Sequence, residues 1–121
     1  MAKILLVEDD IPLRRLYESA LELEHMVIPA GSSSTAIQAI DAEQPDLVVL
    51  DLHLPDAPGT AVLDHIESRG GNLSLRVVVM TGFAHFKSST IHDCIIEILN
   101  KPVTTSMLLR VVNAAIASRV K

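Results

Sequence analysis

Residues 46–55 read DLVVLDLHLP, and this stretch decides the fold. The run from Leu47 to Leu50 is branched and apolar with no polar alternation, which is typical of a strand covered by helices on both faces. Such a strand belongs in the middle of a parallel sheet. Asp51 follows at once, and a carboxylate at the end of a buried strand is costly unless a nearby group compensates its charge. Taken alone, Asp51 is equally explained as a turn former before Pro55.

The composition is that of one ordinary domain. A chain of 121 residues with 49% hydrophobic content can bury a single core, so we predict one domain over residues 1–121. The net charge of -5, without a basic run, argues against direct nucleic-acid binding. Cys94 is the lone cysteine, and no apolar run is long enough for a membrane span or a signal peptide. We therefore expect a soluble cytoplasmic chain without a membrane partner.

The other strands alternate with helices along the chain. A continuously apolar strand is predicted at 3–7 (KILLV), a further buried strand at 76–80 (RVVVM) and a fifth strand at 94–99 (CIIEIL). A weaker edge strand is predicted at 26–29, which contains Pro29. Helical spacing predicts these apolar faces: Leu13, Leu16, Tyr17, Ala20 and Leu23; Ala36, Ile37 and Ile40; Val62, Leu63 and Ile66; and Leu108, Leu109, Val112, Ala115 and Ile116. A further helix is predicted over 84–93, although its residues have low helix propensity.

This alternation predicts an α/β fold with helices on both faces of a parallel sheet, because crossovers between parallel strands are right-handed. The flavodoxin-like doubly wound sheet has five strands in the order 2-1-3-4-5, with its crevice at the carboxyl ends of strands one and three. In that order Glu8 and Asp9, which follow the first strand, lie beside Asp51. Thr81 and Lys101, from strands four and five, flank them.

Three carboxylates gathered at one place predict a site for a hard divalent cation. Glu8, Asp9 and Asp51 would repel one another, so each would resist ionisation without a neutralising charge. An all-oxygen cluster suits Mg²⁺, whereas zinc would favour histidine or cysteine ligands. With the charge neutralised, Asp51 can act as a nucleophile on an activated phosphoryl group and form an aspartyl phosphate.

Three neighbouring residues fit the same chemistry. The ammonium group of Lys101 and the hydroxyl group of Thr81 can share the charge that spreads over the equatorial phosphoryl oxygens in the transition state. Gly82 has no side chain and leaves space for the incoming donor. Singly, Thr81 would more often be a strand-end hydroxyl and Lys101 a surface lysine. Their joint occurrence at adjacent strand ends favours the phosphate-binding interpretation.

Four motifs carry a resemblance to a known family: LLVEDD at 5–10, LVVLDLHLPD at 47–56, VVVMTG at 77–82 and NKP at 100–102. In this order and spacing they resemble the chemotaxis-Y-like receiver domain of bacterial two-component response regulators, over Lys3 to Arg119. The resemblance implies these roles: Asp51 as phosphoacceptor, Glu8 and Asp9 as the acidic metal-binding pair, the backbone carbonyl of His53 as a Mg²⁺ ligand, Thr81 as the switch hydroxyl and Lys101 as the phosphate-binding lysine. It also implies a cis peptide bond before Pro102.

The resemblance further implies partners. The phosphodonor would be a histidine kinase or a small phosphodonor, and the phosphorylated form would act on an unidentified downstream protein or output domain. A homodimer through the last strand and its flanking helices is a further expectation. A chain with this role is a signalling module, so we do not expect an enzyme.

Two departures from the family concern the switch. Receivers usually carry an aromatic residue three positions before the lysine, after a Gly-Ala turn; this chain has Ile98 there, and neither Gly nor Ala in 94–97. The stretch between Thr81 and Lys101 is also short for the family. Because Ile98 cannot make the inward ring movement, we hypothesise intact phosphorylation chemistry with atypical output coupling, carried by the fourth helix, which is predicted over 84–93.

Three rival interpretations remain open. A flavodoxin-like electron carrier would need a phosphate cradle after the first strand, where the acids at 8–10 would repel a flavin phosphate. A haloacid dehalogenase-type phosphatase would need a second acid at position 53, which is a histidine. The strongest rival is a phosphorylation-independent pseudo-receiver that acts only as an interaction module, because Ile98 weakens part of the switch.

Overall fold

The structure is a computed structural model and describes residues 2–68, 75–82 and 93–118. The elements are β1 (Lys3–Val7), α1 (Ile11–Leu21), β2 (Met26–Ala30), α2 (Ser33–Glu43), β3 (Leu47–Asp51), α3 (Thr60–Ser68), β4 (Arg76–Thr81), β5 (Ile95–Asn100) and α4 (Thr105–Ser118). The helix predicted over 84–93 lies outside the described residues except for its last position.

The strands form one five-stranded sheet in the order β2-β1-β3-β4-β5, and each pairing is parallel. This confirms the predicted flavodoxin-like fold class. β3 is central, and all of its residues are buried. β2 lies at one edge, where Pro29 stands opposite Leu6 of β1. The prediction that 26–29 forms an edge strand is therefore confirmed.

Each inner strand sends alternate side chains into two separate core layers. Leu6, Val49 and Met80 pack on the face covered by α1 and α4. Leu5 and Leu50 pack on the opposite face with residues of α2 and α3. Because both faces are covered, alternation of polar and apolar residues would place polar groups in a core, which explains the uninterrupted apolar runs.

Short polar residues begin three of the helices. The side chain of Asp10 accepts a hydrogen bond from the backbone N–H of Leu13 at 3.1 Å and caps α1. Ser32 caps α2 through the backbone N–H of Thr35 in a reciprocal capping box. Thr104 accepts from the backbone N–H of Met107 in the first turn of α4. These caps satisfy backbone donors that a helix cannot pair internally.

Two predicted details of α1 are wrong. The helix ends at Leu21, so Leu23 lies beyond it instead of on its predicted apolar face. The side chains of Leu16 and Leu23 are 55% and 80% exposed, whereas Tyr17 and Leu21 are buried. The apolar face is therefore set by the spacing of Leu13, Tyr17 and Leu21, and Leu16 lies away from it.

The start of the fifth strand also differs from the prediction: β5 begins at Ile95, one residue later than the predicted start at position 94.

The loop between β3 and α3 folds back tightly against the end of β3. The N–H of Gly59 donates to the carbonyl of Leu52 at 2.8 Å, and a Cβ atom at position 59 would lie 2.6 Å from the Cα of Leu52. Only glycine permits that approach. Asp56, in the same loop, accepts hydrogen bonds from the N–H groups of Ser33 and Ser34 at 2.8 and 3.0 Å, which lower the pKa of its carboxyl group.

Candidate functional site

Backbone hydrogen bonds hold two of the predicted site residues in place just beyond the carboxyl ends of the strands. Beyond the last residue of β1, the N–H of Glu8 donates to the carbonyl of Ala30 at 3.0 Å. At the far side of the sheet, the N–H of Lys101 donates to the carbonyl of Thr81 at 2.9 Å. Ladder hydrogen bonds thus continue one step past the strands, and the side chains at these positions sit on a rigid support.

These residues surround an open cavity of about 380 Å³. Its lining contains all the residues predicted to bind metal, accept a phosphoryl group or bind phosphate, together with Asp10 and Leu13: Glu8, Asp9, Asp51, His53, Thr81, Gly82 and Lys101. The separate strand ends therefore meet at one place in the structure, as predicted.

Asp51 and Lys101 form the central ion pair of the cavity. The Nζ atom of Lys101 donates to Oδ2 of Asp51 at 2.8 Å, and the backbone N–H of His53 donates to Oδ1 at 3.0 Å. The side chain of Asp51 is 2% exposed and that of Lys101 is 30% exposed. Burial would lower the pKa of Lys101, but the hydrogen bond and the charge of Asp51 outweigh it, and the pKa is raised.

The three carboxylates form a compact acidic cluster. Glu8, Asp9 and Asp51 each offer an oxygen atom, and these atoms lie within 4.8 Å of one another. Burial, followed by the charge of Asp51, raises the pKa of Glu8 to about 7. Oε1 of Glu8 is buried and has no hydrogen-bond partner among the described residues. An all-oxygen cluster with an unsatisfied buried oxygen fits a hard divalent cation such as Mg²⁺.

The remaining predicted residues lie around this centre. Thr81 is buried at the end of β4, and Gly82 is exposed, with open space among the described residues where a Cβ atom would be. The peptide bond between Lys101 and Pro102 is cis. Ile98 is half-buried opposite Val79 in β5 and packs on the core layer beside α2 and α3. Ile98 does not line the cavity.

Two contacts near the site were missed in the sequence analysis. The hydroxyl group of Tyr17 donates to the carbonyl of Val103 at 2.7 Å, and the guanidinium group of Arg14 donates to the carbonyl of Glu8 at 2.9 Å. Tyr17 was treated only as part of the apolar face of α1. The single tyrosine at a core position was the available signal, because a buried hydroxyl group needs a partner.

Comparison with known proteins assigns the family. The sequence pattern described as the response regulator receiver domain matches residues 4–113. The regulatory protein LuxO of Vibrio cholerae is 30% identical over 119 residues, which cover 96% of this chain and 26% of that protein. The chain therefore belongs to the response regulator receiver domain family, which confirms the resemblance seen in the motifs. It spans about a quarter to a third of the length of the first curated regulators that it matches.

Solved structures share the fold. The signal receiver domain of a protein described as a LuxO repressor from Vibrio parahaemolyticus is 30% identical, with a TM-score of 0.83 and coverage of 93% of this chain and 88% of that one. The response regulator TrrA of Thermotoga maritima, solved in complex with Mg(2+)-BeF, is 23% identical with a TM-score of 0.81 and coverage of 94% and 98%. Receiver domains of this family are signalling modules of two-component systems and not classical enzymes.

None of the helices that the structure describes has the length and the apolar run needed to cross a membrane.

The raised pKa of Glu8 predicts a loss of stability with rising pH. The folded pKa of about 7 lies above the ordinary value of 4.5, so the folded state binds the proton more tightly than the unfolded state does. Stability should therefore fall as the pH rises from 4.5 through 7. In chelator, Glu8→Gln should exceed the parent in unfolding free energy at pH 8 by up to about 3 kcal/mol, and by much less at pH 5.

Urea unfolding followed by circular dichroism at both pH values measures this difference. The control is Glu22→Gln, which changes an exposed acid just after α1 and should follow the parent at both pH values. Addition of Mg²⁺ should stabilise the parent more than Glu8→Gln. An equal pH dependence of stability for the parent and Glu8→Gln would contradict a raised pKa of Glu8 in the folded state.

Proposed function

We propose that the chain, over residues 1–121, is a phosphoacceptor receiver domain in which Asp51 carries the phosphoryl group. The observation that carries this proposal is the 2.8 Å contact between Lys101 Nζ and Asp51 Oδ2, within a cluster of three carboxylates that lines a cavity. The ammonium group of Lys101, which contacts the nucleophile, stands ready to bind a phosphoryl oxygen. Membership of the receiver family supports the same assignment.

The acidic cluster is the proposed Mg²⁺ site. Glu8, Asp9 and Asp51 would hold the ion with the backbone carbonyl of His53, and the ion would supply positive charge for the phosphoryl oxygens. The buried, unsatisfied Oε1 of Glu8 supports this. The Mg(2+)-BeF complex of the T. maritima regulator, which has the same fold, is consistent with such a site in the family.

The proposed transfer exchanges one bond to phosphorus for another. A carboxylate oxygen of Asp51 forms a bond to phosphorus while the bond from phosphorus to the donor nitrogen or oxygen breaks. A phosphohistidine donor leaves as imidazole after taking up a proton, and acetyl phosphate leaves as acetate. Lys101 and Thr81 share the charge on the phosphoryl oxygens. Water later attacks the phosphorus, which releases inorganic phosphate and restores the carboxylate of Asp51.

The partner-binding surface is proposed to lie on β5 and α4. A groove of about 450 Å³ runs between these elements, with charged residues that include Glu97, Arg110 and Arg76. Its proposed occupant is a downstream protein, an output domain or a second copy of the chain through the last strand and its flanking helices. The proposed phosphodonor is a histidine kinase, and the proposed location is the cytoplasm.

Output coupling is proposed to be atypical. Ile98 packs on the core and lacks the aromatic ring that receivers use to transmit the switch. The half-buried isoleucine favours a second candidate, a phosphorylation-independent pseudo-receiver that acts only as an interaction module. The two candidates differ in whether Asp51 accepts a phosphoryl group and in whether that event reaches β5.

The phosphoacceptor assignment predicts the loss of one modification. With acetyl phosphate and Mg²⁺, intact-mass analysis should show one added phosphoryl group on the parent and none on Asp51→Asn, because the amide is not a nucleophile of comparable strength. The control Asp64→Asn, an exposed residue of α3, should gain the group as the parent does. Equal gain by Asp51→Asn and the parent would exclude Asp51, and no gain by the parent would favour the pseudo-receiver.

The exposed imidazole of His53 predicts an effect on phosphoryl lifetime. His53 lines the cavity two residues after Asp51, and we propose that its side chain hinders the approach of attacking water. His53→Ala should shorten the lifetime of the phosphorylated protein about twofold to tenfold, since about 0.4–1.4 kcal/mol of barrier corresponds to that range. Decay followed by mass analysis tests this against His65→Ala on α3, which should leave the lifetime unchanged. An unchanged decay rate for His53→Ala would contradict a role of His53 in phosphoryl lifetime.

Atypical coupling predicts a measurable response at β5 despite the missing ring. Addition of Mg²⁺ and beryllofluoride should shift the backbone amide resonances of Ile95–Asn100 in the parent, because these residues adjoin Thr81 and Lys101. The same addition to Asp51→Asn should shift none of them. An absence of shifts in β5 of the parent, with shifts at residues 51–53, would show that phosphorylation does not reach this strand.

A further inference from the structure

Tyr17 makes the longest-range hydrogen bond near the site. It is 1% exposed, and its side chain is the largest of the fully buried ones among the described residues. Its hydroxyl group donates to the carbonyl of Val103 at 2.7 Å, a contact between residues 86 positions apart. This hydrogen bond links α1 to the segment that joins β5 to α4.

That segment carries Lys101. The backbone N–H of Lys101 is bound to the carbonyl of Thr81 on one side. Pro102, the next residue, has no N–H with which to form a second anchor. The following residue is Val103, whose carbonyl group accepts the hydrogen bond from Tyr17. The backbone on either side of the Lys101–Pro102 pair is thus fixed at two points, one on β4 and one on α1.

The N-terminal end of α1 reaches the acidic cluster. Asp10 caps the helix, and its backbone N–H donates to Oε2 of Glu8 at 3.2 Å. Arg14, one turn before Tyr17, donates to the carbonyl of Glu8. A single helix therefore contacts the carboxylate side of the cavity through its first turns and the lysine side through Tyr17.

We propose that Tyr17 is a positioning residue: its hydroxyl group holds the carbonyl of Val103 and so keeps the ammonium group of Lys101 on Asp51. The ring itself packs with Val103 and Leu108 in the core beside α1 and α4. Phenylalanine can supply that packing but cannot supply the hydrogen bond. Burial and the charge of Glu8 raise the pKa of the phenol, so it remains a donor at neutral pH.

The effect on phosphorylation rests on the proposed function, so two separate measurements are needed. The first uses lysine labelled with ¹⁵N at Nζ and needs no phosphorylation. In the parent, the ammonium group of Lys101 should give a protected signal because it is bound to Asp51. In Tyr17→Phe this signal should broaden or vanish, while that of Lys3, which donates to the carbonyl of Glu43, should persist as an internal reference.

The second measurement is the rate of phosphorylation by acetyl phosphate. Tyr17→Phe should slow the reaction about fivefold to tenfold, the effect of one hydrogen bond. In a Lys101→Ala background, Tyr17→Phe should cause no further loss, because the group that it positions is absent. Leu21→Val controls for general weakening of the core on the same helix and should change neither the rate nor the Lys101 signal.

A second replacement guards against misfolding. Tyr17→4-aminophenylalanine keeps an N–H donor at the same place and should restore both the Lys101 signal and the rate. Equal slowing by Tyr17→Phe in the parent and Lys101→Ala backgrounds would overturn the proposal, as would an unchanged Lys101 signal in Tyr17→Phe. If the parent is not phosphorylated at all, the proposed function fails, and the Lys101 signal alone still decides the role of Tyr17.

Discussion

The structure depends on a charge balance at one edge of a parallel sheet. Parallel strands deliver their carboxyl ends to the same edge, and here three carboxylates meet there within 4.8 Å. Among the described residues that line the cavity, one ammonium group, that of Lys101, opposes them. Burial raises the pKa of Glu8, and the like charge of Asp51 raises it further. A cation, a proton or a bound phosphoryl group changes the balance, and each of these acts on the same few side chains.

Much of the fold follows from continuity of apolar sequence. The bounds of β1 match the prediction, and β3 and β4 each extend by one residue, because uninterrupted branched residues allow few alternatives to a buried strand. The site followed from the same reasoning, since acids placed directly after such strands must share an edge. The prediction for Leu16 is wrong because leucine is apolar on either side of a helix, and only tertiary packing decides which side is covered; Leu23 lies beyond the end of α1.

The contacts that the sequence did not reveal join positions far apart in the chain. The hydrogen bond from Tyr17 to Val103 spans 86 positions, and no local pattern encodes it. The loop after β3 is similar, because Asp56 looks like a turn residue but caps α2 from another part of the chain. Gly59 likewise approaches the backbone of Leu52 so closely that a side chain is not tolerated there. Strand order was predictable from general rules, and these long-range polar contacts were not.

The two edges of the sheet differ in their capacity to accept another strand. Pro29 deprives the β2 edge of a backbone donor, which makes that edge a poor template for pairing. The β5 edge contains no proline within Ile95–Asn100. A sheet with two competent edges can add copies without limit and grow into a filament, whereas a sheet with one can only form a closed pair. The position of a single proline therefore makes open-ended addition of copies through the β2 edge unfavourable.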